Sequence, residues 1–300
     1  MSLERFLLVA LDTSSQSLAA LEMAMECATM GGYGLKGIYV EESHLSQASA
    51  ASVSLEVELS TTHSRPFSSE RLESVHRAQS AHARQALEMA ADRRRIEWEF
   101  DVIAGNAAQV IQAEGAGADM ILMGDRSANW ANQPGFGTTS WHLMTRHKRS
   151  LFIARKAKSL VFPLTVVCQG FESSKDVIEH AFLLGQMCHH YVHVVYLPGK
   201  HADEEMALRH WLTQISEAKG VIFRVHVISP VSRMHLVGFL EAFKPGTLIL
   251  PDLAWFRQKM FLKSVQHLDS SILFFRPQRG EESSSPREQA QMATTTHSEA

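Results

Sequence analysis

Between Phe6 and Phe275 the chain runs twice through the same succession of short apolar runs and helix-period segments, and this internal copy constrains the fold more than any single residue does. Short apolar runs that alternate with 3.6-period segments are the pattern of parallel strands buried on both faces and joined by crossover helices. In the first copy Phe6 to Leu11 reads as a strand, Gln16 to Met30 as a helix, and Leu35 to Val40 as a second strand. Glu70 to Arg94 reads as a long helix with Leu72, Val75, Gln79, His82, Ala86 and Met89 along its apolar flank. Ile96 to Ile103, Ala107 to Glu114, Met120 to Met123, Thr139 to His147 and Leu151 to Ala154 complete that copy. From Phe162 the series repeats: Leu164 to Cys168, Asp176 to His189, Tyr191 to Tyr196, Glu204 to Lys219, Val221 to Ile228, Val231 to Phe243, Thr247 to Leu250, Phe256 to Leu268 and Ile272 to Phe275.

The expected organisation is therefore two α/β domains, residues 1–157 and 158–278, joined by a short polar connection. Two stretches fall outside the repeat. Glu41 to Ser69 is rich in Ser, Ala and Thr and contains Pro66, which suggests a surface insertion, partly helical from Leu45 to Val53, over a ligand site. Residues 279–300 contain almost no apolar side chain and read as a disordered tail. Charge is nearly balanced, 29 Lys+Arg against 32 Asp+Glu, so no broad cationic face is available for a phosphate backbone, and nucleic acid is not an expected partner. Three cysteines, none in a CxxC pair, do not build a disulfide framework. The apolar run that begins at Phe6 stops at Asp12, short of a signal peptide, and no stretch approaches the ~18–20 residues of a membrane span. A cytoplasmic protein is expected.

In an open parallel sheet, ligands bind beyond the carboxyl ends of the strands where strand order reverses, between the first strand and the fourth. Those ends are Asp12 and Gly124. The first runs into Asp12-Thr13-Ser14-Ser15-Gln16-Ser17, a carboxylate with hydroxyls able to cap a helix and to contact a ligand. The fourth runs into Gly124-Asp125-Arg126-Ser127 and, after nine residues, Gly137-Thr138-Thr139 at a helix start, where backbone N–H groups and the helix dipole favour an anion. Gly124, two residues, Ser127, nine residues, Gly137-Thr138 resembles the nucleotide loop of the universal stress proteins: Gly, two residues, Gly, nine residues, Gly, then Ser or Thr. Val9-Ala10-Leu11-Asp12-Thr13-Ser14, Ile103 to Ile111 and Gly117 to Gly124 resemble the family's flanking strands and crossings, and the likeness covers residues 5–155.

The resemblance implies tandem Rossmann-like domains of the adenine nucleotide alpha hydrolase-like kind, each a five-stranded parallel sheet of order 3-2-1-4-5, paired through their last strands, Ser150 to Ala154 and Ser271 to Phe275, as an intramolecular pseudo-dimer. It also implies ATP, with or without Mg2+, in the first domain. Asp12, Thr13 and the Tyr39-Val40 segment would lie at adenine and ribose, and Gly124, Ser127, Gly137, Thr138 and Thr139 at the phosphates. Ser127 departs from the family glycine, and a side chain forced to positive φ there would be strained.

The second domain departs further. Gln169-Gly170 replaces the acidic residue, and Pro251-Asp252 supplies no N–H where the family has glycine. Gly124 to Ser150 spans 26 positions but Pro251 to Ser271 spans 20, so about six residues of phosphate loop are missing and no nucleotide is expected there. Gly32 to Gly37 matches GxGxxG formally, yet follows a helix and precedes a strand, which reads as a helix stop. Cys188-His189-His190 with His193 straddles a helix end and a strand start and reads as ordinary histidines rather than a metal site. His142 and His147 read as helix-face residues or partners of the helix C-terminal dipole. No nucleophile with an evident base, no GxSxG and no GxxxxGK[ST] is present, so dedicated catalysis is not expected, a slow ATPase aside. The leading expectation is a stress-response regulator that senses adenine nucleotide and signals to a protein partner. The alternative is a nucleotide-independent adaptor with a vestigial site.

Overall fold

A computed structural model describes residues 3–42, 55–57, 64–66, 69–125, 136–156, 161–187, 191–199, 203–229 and 232–276. Its first half contains β1 (Phe6–Ala10), α1 (Ser15–Gly31), β2 (Gly34–Glu42), β3 (Leu55–Val57), β4 (Ser64–Pro66), α2 (Ser69–Arg94), β5 (Trp98–Gly105), α3 (Ala107–Glu114), β6 (Met120–Gly124), α4 (Thr138–Arg146) and β7 (Ser150–Ala154). The second half contains β8 (Leu164–Gln169), α5 (Lys175–Met187), β9 (Tyr191–Leu197), α6 (Glu204–Lys219), β10 (Ile222–Val227), α7 (Arg233–Phe243), β11 (Thr247–Pro251), α8 (Lys259–Val265) and β12 (Ser271–Phe275).

One ten-stranded sheet runs through both halves in the order β10-β9-β8-β11-β12-β7-β6-β1-β2-β5. Each half contributes five parallel strands in the order 3-2-1-4-5. Because strand side chains alternate, Leu7, Val9 and Leu273 enter a core under α1, α2, α5 and α6, while Leu8, Ile272 and Phe274 enter a second core under α3, α4, α7 and α8. Among the described residues, the only antiparallel pairing in this sheet joins the halves: β12 runs against β7, with Ile272 opposite Ile153, Leu273 opposite Phe152 and Phe274 opposite Leu151. Each last strand thus covers what would otherwise be an open edge.

Strand and seam register puts the halves in correspondence residue by residue. Leu7 beside Met120 matches Leu164 beside Thr247, and Met120 beside Ser150 matches Thr247 beside Ser271. The correspondence extends into the seam as reciprocal hydrogen bonds. Arg155 N–H donates to Ser271 Oγ at 3.2 Å, and Arg276 N–H donates to Ser150 Oγ at 2.9 Å.

Two expectations change. The buried face of α2 is Ala83, Leu87 and Ala91, whereas Val75 and Met89 stand 44% and 50% exposed and His82 is exposed. The cause lies on β2: a Cβ at Gly37 would sit 2.6 Å from Leu87 Cδ2, so the glycine leaves a notch that Leu87 fills, and this sets the rotation of α2. Within the insertion, β3 and β4 form a short antiparallel pair rather than only coil and helix. The expected helix from Leu45 to Val53, the 157/158 junction and the tail 279–300 lie outside the described residues. The formal GxGxxG is a helix stop, since Gly32 takes φ 64° and its N–H returns to Ala28 O at 2.9 Å.

Candidate functional site

Ala10 lies in register with Met123, so β1 and β6 release their chains side by side into the crevice where strand order reverses. Beyond β1 the backbone turns at Thr13 with φ 66°, a left-handed conformation costly for a β-branched residue. Asp12 holds the turn: its Oδ1 accepts from Ser14 N–H at 3.1 Å and Ser14 Oγ at 2.6 Å. Ser14 then caps α1, its Oγ accepting from Ser17 N–H at 3.1 Å.

At the end of β6, a Cβ on Gly124 would meet Ser17 N at 2.9 Å and Gln16 Cβ at 3.0 Å. Glycine is needed here for close packing of the α1 N-terminus, a reason separate from the approach of a phosphate. The next residue, Asp125, is buried and held on every side. Its N–H donates to Ala154 O at 2.8 Å, and its carbonyl accepts from Ser140 Oγ at 2.9 Å. Its carboxylate accepts from Gly137 N–H at 3.2 Å through Oδ1 and from Arg155 Nε at 3.1 Å through Oδ2. Gly137 is the N-cap of α4, and the Arg155 guanidinium lies 4.8 Å from the centroid of the Phe136 ring. The amide at the start of α4 therefore receives an anion, and that anion belongs to the chain.

The expected site residues distribute unevenly around this centre. Thr138, exposed, and Thr139, half-buried, form the first turn of α4. Gly137 has φ −63°, a conformation open to any residue. Val40 packs on the α3–α4 side near the end of β2. The Tyr39 side chain lies on the opposite side, its hydroxyl donating to Gln79 Oε1 at 2.7 Å and lying 2.9 Å from His76 Nδ1 on α2, so the Tyr39 ring is engaged by α2. Ser127 lies outside the described residues.

Two histidines near α4 have other work. His142 Nε2 pairs with Gln112 Oε1 at 2.9 Å. His147 is buried at the end of α4, where burial and the Arg276 and Arg149 charges push its pKa down to about 4, so it is neutral near pH 7 and is not a charged dipole partner. Among the described residues, no group of three or more His, Cys, Asp or Glu could hold a metal ion, and no helix is long and apolar enough to cross a membrane.

Comparison with known proteins meets this geometry. The model of the universal stress protein family matches residues 5–155. The chain belongs to the universal stress protein family. Among solved structures, a universal stress protein from Archaeoglobus fulgidus DSM 4304 is 16% identical, with 93% of this chain and 98% of that one covered and a TM-score of 0.61. A functionally unknown protein from Pseudomonas aeruginosa PAO1 is 11% identical over 91% of this chain and 92% of its own, with a TM-score of 0.57. At these identities the likeness is one of fold. No curated protein matches in sequence.

The second half of this universal stress protein repeats the crevice with different contents. Gly170 takes φ 68° where Thr13 takes 66°, and Ser174 Oγ accepts from Gln169 N–H at 3.1 Å where Ser17 Oγ accepts from Asp12 N–H at 3.4 Å. Gln169 replaces Asp12, and Trp255 Nε1–H donates to Gln169 Oε1 at 2.9 Å while its ring stacks on Phe256 at 3.9 Å. An indole thus spans from the end of β11 to the end of β8. Asp252 corresponds to Asp125 and Arg276 to Arg155, with Arg276 Nε 3.2 Å from Asp252 Oδ1, and Arg257 also pairs with Asp252. Asp125, Arg155, Asp252 and Arg276 were not singled out from the sequence. The available signal was positional: an Asp one residue past the fourth strand and an Arg one residue past the fifth, in both copies.

Proposed function

We propose that the first half of this universal stress protein binds an adenine nucleotide, ATP with or without Mg2+, in the crevice beyond β1 and β6, and acts as a cytoplasmic stress-response regulator rather than an enzyme. Asp12, Thr13 and the backbone of Tyr39 and Val40 would face adenine and ribose, while Gly124, Ser127, Gly137, Thr138 and Thr139 would line the phosphates. One observation carries the reading: β1 and β6 end side by side, with Ala10 in register with Met123, at the point where strand order reverses, and the α4 N-terminus lies beside that crevice. In the second half, Trp255 Nε1–H donates to Gln169 Oε1 across the corresponding strand ends, and Gln169 stands where the first half has Asp12, which favours a structural or partner-binding role. The halves are read as two domains, 1–157 and 158–278, that make within one chain, as a pseudo-dimer, the pairing two copies would otherwise make, and that pass the nucleotide state to a protein partner.

The test is to denature freshly purified protein, assay released adenine nucleotide, and titrate Mg-ATP, ADP, AMP and adenosine by calorimetry. One site per chain is expected, weakened by about tenfold or more in Asp12→Ala with the circular dichroism spectrum unchanged. Absence of released nucleotide together with no heat from any of the four ligands would overturn it. A second reading, a nucleotide-independent adaptor, is favoured by the Asp125 carboxylate already resting on the Gly137 amide. Identical behaviour of Asp12→Ala and wild type in every nucleotide assay would select that reading.

A further inference from the structure

We propose that Asp125 sets the site's preference among nucleotides by phosphate charge, its carboxylate standing in for a phosphate on the Gly137 N–H and the Arg155 guanidinium. The inference rests on the nucleotide reading above and adds a specificity-determining residue to it. A carboxylate and a phosphate oxygen are both anionic acceptors and compete for the same donors. Among the described residues, Gly137 N–H donates to one carboxylate oxygen at 3.2 Å and Arg155 Nε to the other at 3.1 Å, and the side chain is only 2% exposed. Its backbone is fixed from both directions, by Ala154 O and by Ser140 Oγ in the first turn of α4. A phosphate approaching this helix start meets a negative charge where the fold otherwise offers a partial positive one.

Arg155 is not free to turn toward such a phosphate. Its Nη1 donates to Leu268 O in the other half, its N–H donates to Ser271 Oγ, and its guanidinium lies over Phe136. The corresponding pair in the second half differs in the decisive partner: Asp252 is shared by Arg257 and Arg276 rather than aimed at a helix amide. Arg155 is therefore engaged by Asp125 and by the seam, and an added phosphate must displace the carboxylate to reach the Gly137 amide. Adenosine and AMP are favoured over ATP relative to a site with a neutral residue at 125.

The experiment titrates adenosine, AMP, ATP and inorganic pyrophosphate into full-length wild type, Asp125→Asn and the double variant Asp125→Asn/Arg155→Gln, at one fixed salt concentration. In Asp125→Asn, binding of ATP and pyrophosphate should tighten by about tenfold or more while adenosine changes by less than about twofold. In the double variant the ATP-to-adenosine affinity ratio should also rise, by less, since the carboxylate and the cation are both gone. A ratio that stays level or falls in a folded Asp125→Asn protein overturns the proposal. If that variant does not fold, the double variant, which leaves no unpaired buried charge, decides by the same ratio. If neither wild type nor any variant binds adenosine or ATP, the nucleotide reading has failed. Pyrophosphate then judges Asp125 alone, binding gained in Asp125→Asn upholding the proposal and no gain overturning it.

Discussion

The two halves share a skeleton and differ in what they place on it. Lys36 on β2 pairs with Asp101 on β5 at 3.2 Å and with Glu114 on α3 at 2.7 Å. At the matching positions of β9 and β10, His193 Nδ1 lies 3.0 Å from His226 Nε2 under Phe239 and Phe243 of α7. An ion cluster in one half has become an imidazole pair in an aromatic setting in the other. Likewise Asp12 has become Gln169 and Thr13 has become Gly170, while the left-handed turn, the serine bond that closes it and the strand order stay the same. The fold requires the backbone path and the apolar layers and is permissive about the polar groups at strand ends, so chemistry can be lost or changed in one copy without loss of architecture.

The strongest test of the shared skeleton is the seam. Phe152 is fully buried on β7 and lies opposite Leu273 of β12. Phe152→Ala should cost about 3–5 kcal/mol in urea denaturation. If the ten strands unfold as one unit, the midpoint moves and a single transition remains. Separate transitions for the halves would show that the seam joins two independent folding units.

The histidines sharpen the comparison next. Burial, with the nearby His226 and Arg224, pushes His193 down to about 4, and burial with Arg224 lowers His226. Burial alone pushes His180 on α5 to about 4. These folded-state values lie below the ordinary 6.5, so unfolding takes up protons. Their contribution is complete above about pH 6.5 and is lost as pH falls toward 4. Thermal unfolding followed from pH 7.5 to 4.5 should show falling stability, to which His147 of the first half, also pushed down to about 4, contributes. Bringing in the first half's ion pair, as His193→Lys/His226→Asp, should flatten that decline; an unchanged profile would remove this pair from the explanation.

The matched turns give the smallest and cleanest contrast. Gly170→Thr should destabilise by about 1–2 kcal/mol, because a β-branched residue at φ 68° is strained. Thr13→Gly at φ 66° relieves that strain but loosens the unfolded chain, and should change stability by under about 1 kcal/mol. Urea midpoints of the two variants measure both. Equal and opposite shifts would mean that the turn is judged by strain alone, and a large loss in Thr13→Gly would reveal contacts of the threonine side chain.

Much of this was legible before any coordinates. The alternation of apolar runs and helix-period segments marked the strands, and the family-like spacing from Gly124 to Gly137 placed the crevice. The face of α2 was not legible, because Val75 and Met89 fit the helical period as well as Ala83 and Leu87 do, and only the notch at Gly37 on a different element separates them. Tyr39 was placed correctly on its strand, but the face to which its side chain points depends on register with α2. Gly124 was assigned to phosphate approach, yet it is also the contact on which the α1 N-terminus packs.

The class of fold, the internal copy and the place where strand order reverses between β1 and β6 follow from the sequence, because hydrophobic period and turn residues are local signals. The packed fold alone shows that the carboxylate of Asp125 sits on the Gly137 amide, that Arg155 ties it to the other half, and that Trp255 bonds Gln169. The hydrogen bonds that join these groups span from 12 residues to more than a hundred along the chain, and such pairings are set by the packing of strands and helices rather than by any pattern along them.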